Sequence, residues 1–350
     1  MHEKFSGNEN FEFAKGKRIL AGSEELPTKN SDTRLEEPAK EGASPLFCDG
    51  KRYNQLSRHL KETFGQKVYK VTLDAGFSCP NRDGKISKIG CIFCDDSGSF
   101  SQAHDNLLPI QTQLETGIET LSNRFGAQKF ISYFQAYSNT YAPVKVLENT
   151  YSQALGHKDV VGLSIGTRPD CVDKDKINLI SDIAQDYYTW VEYGLQSIHD
   201  KTLDFINRGH HAREFYDAVE MTQGRNINIC AHIIIGLPNE SREDILHTAR
   251  EISRLGIHGV KIHLLCILKG TPMERMYNEG KIRMFEEDEY IETVCDFLEV
   301  LPPEMTIHRL AGNGLKKILV APKWLPKKFE LLNKIDAELE RRGSWQGRPA

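Results

Sequence analysis

Three cysteines, Cys79, Cys91 and Cys94, stand at C-x11-C-x2-C spacing in a loop that also carries Pro80, Asn81, Asp83, Gly84 and Gly90. Two thiolates separated by two residues can grip one metal centre, and a third from the far end of a loop can close on the same centre. Three ligands are one fewer than a structural zinc or an iron–sulfur cluster normally takes. On a [4Fe–4S] cluster, that shortfall leaves one iron free to bind another molecule. A zinc site completed by His104 or His210, or three ordinary structural thiols, are the competing readings. Against zinc, the three cysteines sit among Phe77, Ile92 and Phe93 in one loop, whereas zinc ribbons more often join two C-x2-C knuckles. Cys48, Cys171, Cys230, Cys266 and Cys295 show no second such pair and read as ordinary thiols, although Cys230, Cys266 or Cys295 could add a ligand in space.

Such a loop needs a rigid carrier. The run 68–73, VYKVTL, is rich in β-branched and aromatic residues and predicts a strand that delivers it. Further strands are predicted over 129–135, 160–165, 190–193, 228–235 and 259–265. The run at 228–235 ends in a continuous β-branched stretch, Ile233 to Ile235, as in a sheet covered on both faces. Helices are predicted over 52–64, from near Pro143, and over 174–183 and 213–223. Another opens with Ser241 and Asp244 in a capping box, followed by Ile245, Leu246, Ala249, Ile252 and Leu255 on one face. Strands alternating with helices of this length predict βαβ units and a parallel sheet. The fold class is therefore α/β, a partial (β/α)6 TIM-like barrel, with its chemistry at the C-terminal ends of the strands.

Polar and glycine-rich segments do collect after the strands. The cysteine loop follows the first, Tyr137-Ser138-Asn139-Thr140 the second, and Gly166-Thr167-Arg168-Pro169-Asp170 the third. Glu192 and Gly194-Leu195-Gln196-Ser197 end the fourth, Gly236-Leu237-Pro238 follows the fifth, and Lys269-Gly270-Thr271-Pro272 the sixth. His232 and His263 alternate with apolar neighbours inside strands, and either substrate contact or a satisfied core histidine suits them. His308-Arg309 falls on a possible seventh short strand and is a substrate candidate.

The chain has 350 residues, 39% hydrophobic and 27% charged, a composition of a globular protein with ample core. No window approaches the length of a membrane span, and the N-terminus lacks the apolar segment of a secretory signal, so a cytoplasmic location is expected. Eight cysteines without such a signal fit a reducing compartment. The net charge of −4 argues against a uniformly basic nucleic-acid coat. Residues 1–45 are polar, without apolar periodicity, and read as a disordered extension; 46–312 form the core domain; 313–350 form a basic helical segment with nine Lys/Arg against four Asp/Glu. The run Phe285 to Glu289 reads as a solvated helix start. No P-loop, Rossmann fingerprint or G-x-S-x-G occurs.

The cysteine loop resembles the cluster-binding loop of the radical S-adenosylmethionine (SAM) superfamily, in an expanded form of its C-x3-C-x2-C motif. The string from Gly76 to Gly84, GFSCPNRDG, followed by Gly90 to Cys94, GCIFC, resembles the YhcC/YtqA-like members, relatives of the radical SAM half of the Elongator catalytic subunit. The resemblance runs from about Tyr53 to Lys323. It implies that Cys79, Cys91 and Cys94 hold a [4Fe–4S] cluster whose open iron binds SAM. One injected electron then cleaves a C–S bond, giving methionine and a 5′-deoxyadenosyl radical. It also implies that Phe93 packs against the adenine. Ser138, Asn139 and Thr140 stand where many relatives carry a Gly-Gly-Glu that holds the SAM amino group; a plain turn is the alternative. Arg168 has the fork for a SAM carboxylate, or for a salt bridge. Glu192, buried on its strand, needs a partner such as the SAM ribose or amino group. Gln196 and Ser197 resemble the G-x-Q-S of the Elongator-like branch, and Gly236 opens a G-L-P turn beside the adenine.

The kinship implies a radical SAM enzyme, with RNA, at the tRNA wobble uridine, as its substrate class. A flavodoxin- or ferredoxin-type reductant is the expected electron source. The segment with Lys316, Lys317, Lys323, Lys327, Lys328 and Trp324 would suit phosphate and base contacts. The acetyltransferase part of Elongator has no counterpart in the sequence, so a route through acetyl-CoA is not expected. A non-catalytic iron–sulfur carrier or assembly factor, and a zinc-stabilised RNA-binding module, are the alternatives.

Overall fold

A computed structural model describes residues 50–95, 108–312, 317–325 and 328–348. The expected N-terminal extension, His104 and Cys48 lie outside the described residues. The chain order is α1 (Leu56–Phe64), β1 (Val68–Leu73), α2 (Ile110–Phe125), β2 (Lys129–Phe134), α3 (Val144–Ala154), β3 (Val160–Thr167), α4 (Lys174–Ile183) and β4 (Tyr188–Gln196). There follow α5 (Asp200–Phe205), α6 (Ala212–Thr222), β5 (Asn228–Ile235), α7 (Arg242–Arg254), β6 (Gly259–Leu264), β7 (Ile267–Leu268) and α8 (Pro272–Asn278). The last elements are α9 (Glu287–Val300), β8 (Thr306–Arg309), β9 (Leu319–Ala321) and α10 (Lys328–Arg341).

Seven strands pair in parallel in the order β1-β2-β3-β4-β5-β6-β8, which makes a half-barrel rather than a closed one. The seventh strand, β8, carries His308 and Arg309. It pairs with β6 through a register shift between Val260 and Lys261, so that Lys261 stands beside Arg309. Strands β7 and β9 form a separate antiparallel pair.

Each strand sorts its side chains by the two-residue alternation of the pleat. On β4, Val191, Tyr193 and Leu195 face the helices, where the Tyr193 hydroxyl and the Thr222 hydroxyl are 2.7 Å apart and the Tyr193 ring meets Phe215 edge-on. Its other face carries Trp190, Glu192 and Gly194 into the half-barrel. Each fully buried Leu or Ile of the outer layer contributes on the order of 1.5–3 kcal/mol of burial energy. The capping box expected at Ser241 forms, with the serine hydroxyl and the Asp244 carboxylate each satisfying the other's backbone N–H. Another capping box, Glu286 with Glu289, opens α9 at the acidic run.

Several elements differ from expectation. Strand β4 runs from Tyr188 to Gln196, not 190–193, because the polar residues that broke the apolar pattern line the inner face. Helix α1 begins at Leu56, since Gln55 is drawn into a parallel bridge with Ile307. Helix α2 was not anticipated; its Ile110, Leu114 and Ile118 stripe packs on the core, and Gly117 is required where Val71 Cγ1 would lie 2.4 Å from a Cβ. No described helix is long and apolar enough to cross a membrane.

Candidate active site

Strand β1 ends at Leu73, and the cysteine loop turns over the C-terminal rim of the sheet. Its first bend is a turn on Cys79, whose carbonyl accepts from the backbone N–H groups of Arg82 (2.8 Å) and Asp83 (3.1 Å). Its second is closed by the Cys94 N–H on the Cys91 carbonyl at 3.0 Å. Between them Ile92 is pinned from both sides: its N–H donates to Ile206 and its carbonyl accepts from Met273, each at 3.0 Å. The Asn207 amide donates to the Gly90 carbonyl at 2.6 Å, and the Asn81 amide to the Asn207 carbonyl at 2.6 Å. The loop is thus clamped by the segment after α5.

The clamp and the loop itself both supply polar groups to sulfur. Arg208 Nη1 lies 3.5 Å and Asn81 Nδ2 3.6 Å from Cys91 Sγ, while Arg208 Nη2 donates to the Gly194 carbonyl at 2.6 Å. The Arg208 Nε and His210 Nε2 atoms are buried without a hydrogen-bond partner. Burial, with Arg208 and Arg168 nearby, pushes His210 down to about 3, so it is neutral. Three thiols facing one cavity, with cationic and amide N–H groups aimed at one of them, are a donor set suited to thiolate ligands of a cluster.

Below this rim the interior is polar, whereas a closed barrel is filled with branched apolar side chains. Glu192 is fully buried, and four strands converge on it: Lys70 at 2.5 Å from β1, the Ser164 hydroxyl at 2.6 Å from β3, His232 at 2.7 Å from β5 and Lys261 at 3.0 Å from β6. Burial opposes its charge, but the two ammonium groups outweigh that and hold the carboxyl well below its usual range. Lys261 also donates to the Tyr133 hydroxyl at 2.5 Å, and burial brings its ammonium down to about 8. Arg309 Nη2 donates to His263 Nδ1 at 2.5 Å, and burial, with Arg309 second, pushes His263 well below its ordinary value. His308 packs edge-on to Trp190 with ring centroids 4.4 Å apart.

Among the described residues, the ligand atoms of Glu192, Cys230 and His232 lie within 4.8 Å of one another. Lys70 and Lys261 already occupy that carboxylate, which disfavours a cation there.

One cavity gathers much of the expected site: Cys79, Cys91, Phe93, Cys94, Arg168, Glu192 and Gln196 line it. Gln196 has a positive φ of 78°, a left-handed conformation that few non-glycine residues adopt and that turns the chain at the end of β4. Gly194 leaves room beneath it for two side-chain ends, since a Cβ there would meet Arg208 Nη2 at 2.7 Å and Gln196 Nε2 at 2.9 Å.

Other expected residues are placed elsewhere. Ser138 and Thr140 share the Thr167 hydroxyl at 3.0 and 2.7 Å, and Asn139 donates to the carbonyls of Ala136 and Gly166 at 2.9 and 2.8 Å. All three are buried in a turn behind the cavity wall. Ser197 donates to Glu240, and its hydroxyl accepts from the His199 backbone N–H at 3.1 Å. Gly236, with φ of 88°, makes the turn after β5 beside Phe285. Arg168 reaches the cavity, yet its fork is engaged with Asp170 at 2.8 and 2.7 Å and with the Arg208 carbonyl at 2.7 Å. Trp324, expected at a basic surface, instead donates to the Phe285 carbonyl at 3.3 Å and packs on Tyr290; Lys317 and Lys323 are exposed, and Lys316 and Lys327 lie outside the described residues.

Arg208, Lys70, Lys261 and Tyr133 had no motif to announce them. The one available signal was position, since polar residues interrupt apolar strands at 70, 133 and 261.

A half-barrel of parallel strands with a three-cysteine loop at its C-terminal rim defines a class of iron–sulfur enzymes. The Radical SAM superfamily profile matches residues 79–252, and the Radical_SAM C-terminal domain profile matches 257–341. YtqA of Bacillus subtilis is 43% identical over 304 residues, 87% of this chain and 94% of its own. YhcC of Escherichia coli is 37% identical over 303 residues, 85% of this chain and 97% of its own. This chain therefore belongs to the radical SAM superfamily, among the proteins related to YtqA and YhcC. A tRNA uridine(34) acetyltransferase of Dehalococcoides mccartyi is 27% identical over 164 residues, 46% of this chain and 35% of its own. The fold matches Elp3 of Methanocaldococcus infernus with a TM-score of 0.63 at 19% identity, over 80% of this chain and 64% of that one.

Proposed function

We propose that this protein holds a [4Fe–4S] cluster on Cys79, Cys91 and Cys94 and uses it to cleave SAM. The observation that carries the reading is the shared cavity: the three cysteines form its rim, and the charged group around Glu192 forms its floor. When bound, the cluster and SAM supply a one-electron C–S cleavage that yields methionine and a 5′-deoxyadenosyl radical, the electron coming from a low-potential donor protein.

The chain's own residues would divide the work. Arg208 has an unpartnered Nε and a guanidinium facing the cavity, which suits the carboxylate of SAM. Gln196 and the rim carbonyls offer hydrogen bonds, and Phe93, Ile234 and Leu265 offer an apolar wall for a nucleobase. The enclosing strands keep water from a reactive carbon-centred radical.

The substrate reading is a tRNA wobble uridine. Its support is the partial likeness to a protein named for tRNA uridine(34), together with exposed Lys317 and Lys323. The test is anaerobic: reconstitute with iron and sulfide, add SAM and dithionite, and quantify 5′-deoxyadenosine beside Cys94→Ala. Product from the wild type alone supports the reading, and stimulation by undermodified tRNA supports the uridine assignment. A loaded cluster that yields none points to an electron carrier; zinc without sulfide points to a zinc module.

A further inference from the structure

The floor of the half-barrel carries more positive charge than it neutralises. Lys70 and Lys261 share the single carboxylate of Glu192. Arg309 has no carboxylate partner among the described residues; its guanidinium donates to His263, and its Nε is buried with no hydrogen-bond partner. His232 and His263 beside it are held neutral and add no counter-charge, His232 being pushed by burial to about 4. An unpaired guanidinium in such a place is costly unless a ligand completes it.

The backbone puts it there. The register shift between β6 and β8 pairs Lys261 with Arg309. A bulge of this kind re-aims a side chain, here letting consecutive His308 and Arg309 both turn inward. His308 faces Trp190 and Arg309 reaches the cavity, where Tyr133, His232, Lys261 and His263 also line the wall. Ammonium and guanidinium are therefore neighbours on one inner face, opposite the rim that carries the cysteines.

We infer that Arg309 and Lys261 form a binding site for the oxyanion, carboxylate or phosphate, of a small molecule that enters the half-barrel beneath SAM. The inference rests on the reading of the cavity as the place where the radical is made. It assigns the molecule facing that radical an anionic group, carboxylate or phosphate, held at the floor of the half-barrel.

The test uses cluster-reconstituted protein, oxidised and anaerobic, titrated calorimetrically with propionate, inorganic phosphate or neutral propionamide, with and without saturating SAM. Expected is binding of at least one anion in the presence of SAM, none of propionamide, and a loss of tenfold or more in Arg309→Gln, with partial retention in Arg309→Lys. Which anion binds tells carboxylate from phosphate. Near-UV circular dichroism and SAM affinity within twofold of wild type certify the variants. Equal binding of propionate and propionamide, absence of binding by any probe, or anion affinity unchanged in Arg309→Gln overturns the site. A tenfold weaker SAM affinity in a folded Arg309→Gln also overturns it, because Arg309 would then serve the SAM carboxylate. If wild type binds no SAM but still binds propionate, the radical reading fails and the oxyanion site survives.

Discussion

Glu192 Oε2 lies 3.0 Å from Lys261 Nζ at the centre of the half-barrel, with the glutamate fully buried. The same carboxylate meets Lys70 at 2.5 Å through its other oxygen, so one anion anchors strands β1, β4 and β6 together. Removing one partner of a buried pair leaves an uncompensated charge and costs about 3–5 kcal/mol. Glu192→Gln is therefore expected to lower stability by that order. Adding Lys261→Met should recover part of the loss, by about 1–2 kcal/mol of coupling. Denaturant unfolding of the four proteins of the cycle measures it; additive effects would show that the pair is not coupled.

Acid should weaken the fold through its buried imidazoles. Burial holds His232 at about 4, and His210 and His308 each at about 3, whereas an unfolded histidine titrates near 6.5. Below pH 6.5 the unfolded chain binds protons that the folded chain does not, so stability falls as pH drops towards 4 and then 3. Each of these folded values is depressed, so the stability it contributes is fully present above 6.5. Neither ring nitrogen of His308 has a hydrogen-bond partner, and Nδ1 is 3.7 Å from Glu192. His308→Phe should be near neutral at pH 7.5 and should flatten the acid slope between pH 6 and 4, read from urea midpoints across that range. An unchanged slope would mean that His308 titrates normally.

Two glycines make contrasting demands. A Cβ on Gly162 would lie 2.2 Å from the Tyr188 carbonyl oxygen, which belongs to the adjacent strand and cannot move alone. Gly162→Ala is expected to destabilise by more than about 4 kcal/mol, or to abolish soluble expression. The close contacts of a Cβ on Gly194 are with the ends of the Arg208 and Gln196 side chains, which can swing aside. Gly194→Ala should keep most of the stability, cost about 1 kcal/mol, and weaken SAM binding by displacing Arg208. Melting temperatures with SAM titrations separate the two outcomes.

Asn139 and Arg208 should fail in opposite ways. Asn139 Nδ2 serves two buried carbonyls, so Asn139→Ala is expected to cost about 2–3 kcal/mol while leaving SAM affinity within twofold. A large loss of SAM affinity in a well-folded Asn139→Ala would place this turn in the cofactor site. Arg208→Met removes a cation and a donor from Cys91 Sγ. The cluster should still load, its reduction potential should fall because the reduced state loses positive charge beside it, and SAM should bind at least tenfold more weakly. A redox titration followed by electron paramagnetic resonance reads the potential.

The sequence by itself determined the alternation of strands and helices, the parallel half-barrel and the three-cysteine loop at its rim. Each of these is encoded locally, in β-branched runs, a capping box and the spacing of Cys79, Cys91 and Cys94. Tertiary structure alone decided which polar residues share a cavity. Lys70, Tyr133, Glu192, Lys261 and Arg309 come from five strands, and only sheet register brings them within hydrogen-bonding or ladder distance of one another. It also decided that Ser138, Asn139, Thr140 and Ser197 spend their hydrogen bonds on the scaffold. A polar residue after a strand can turn to the cavity or back to the neighbouring loop, and the choice depends on which unsatisfied backbone groups lie within reach. Those groups are fixed by packing between distant segments, which no local pattern records.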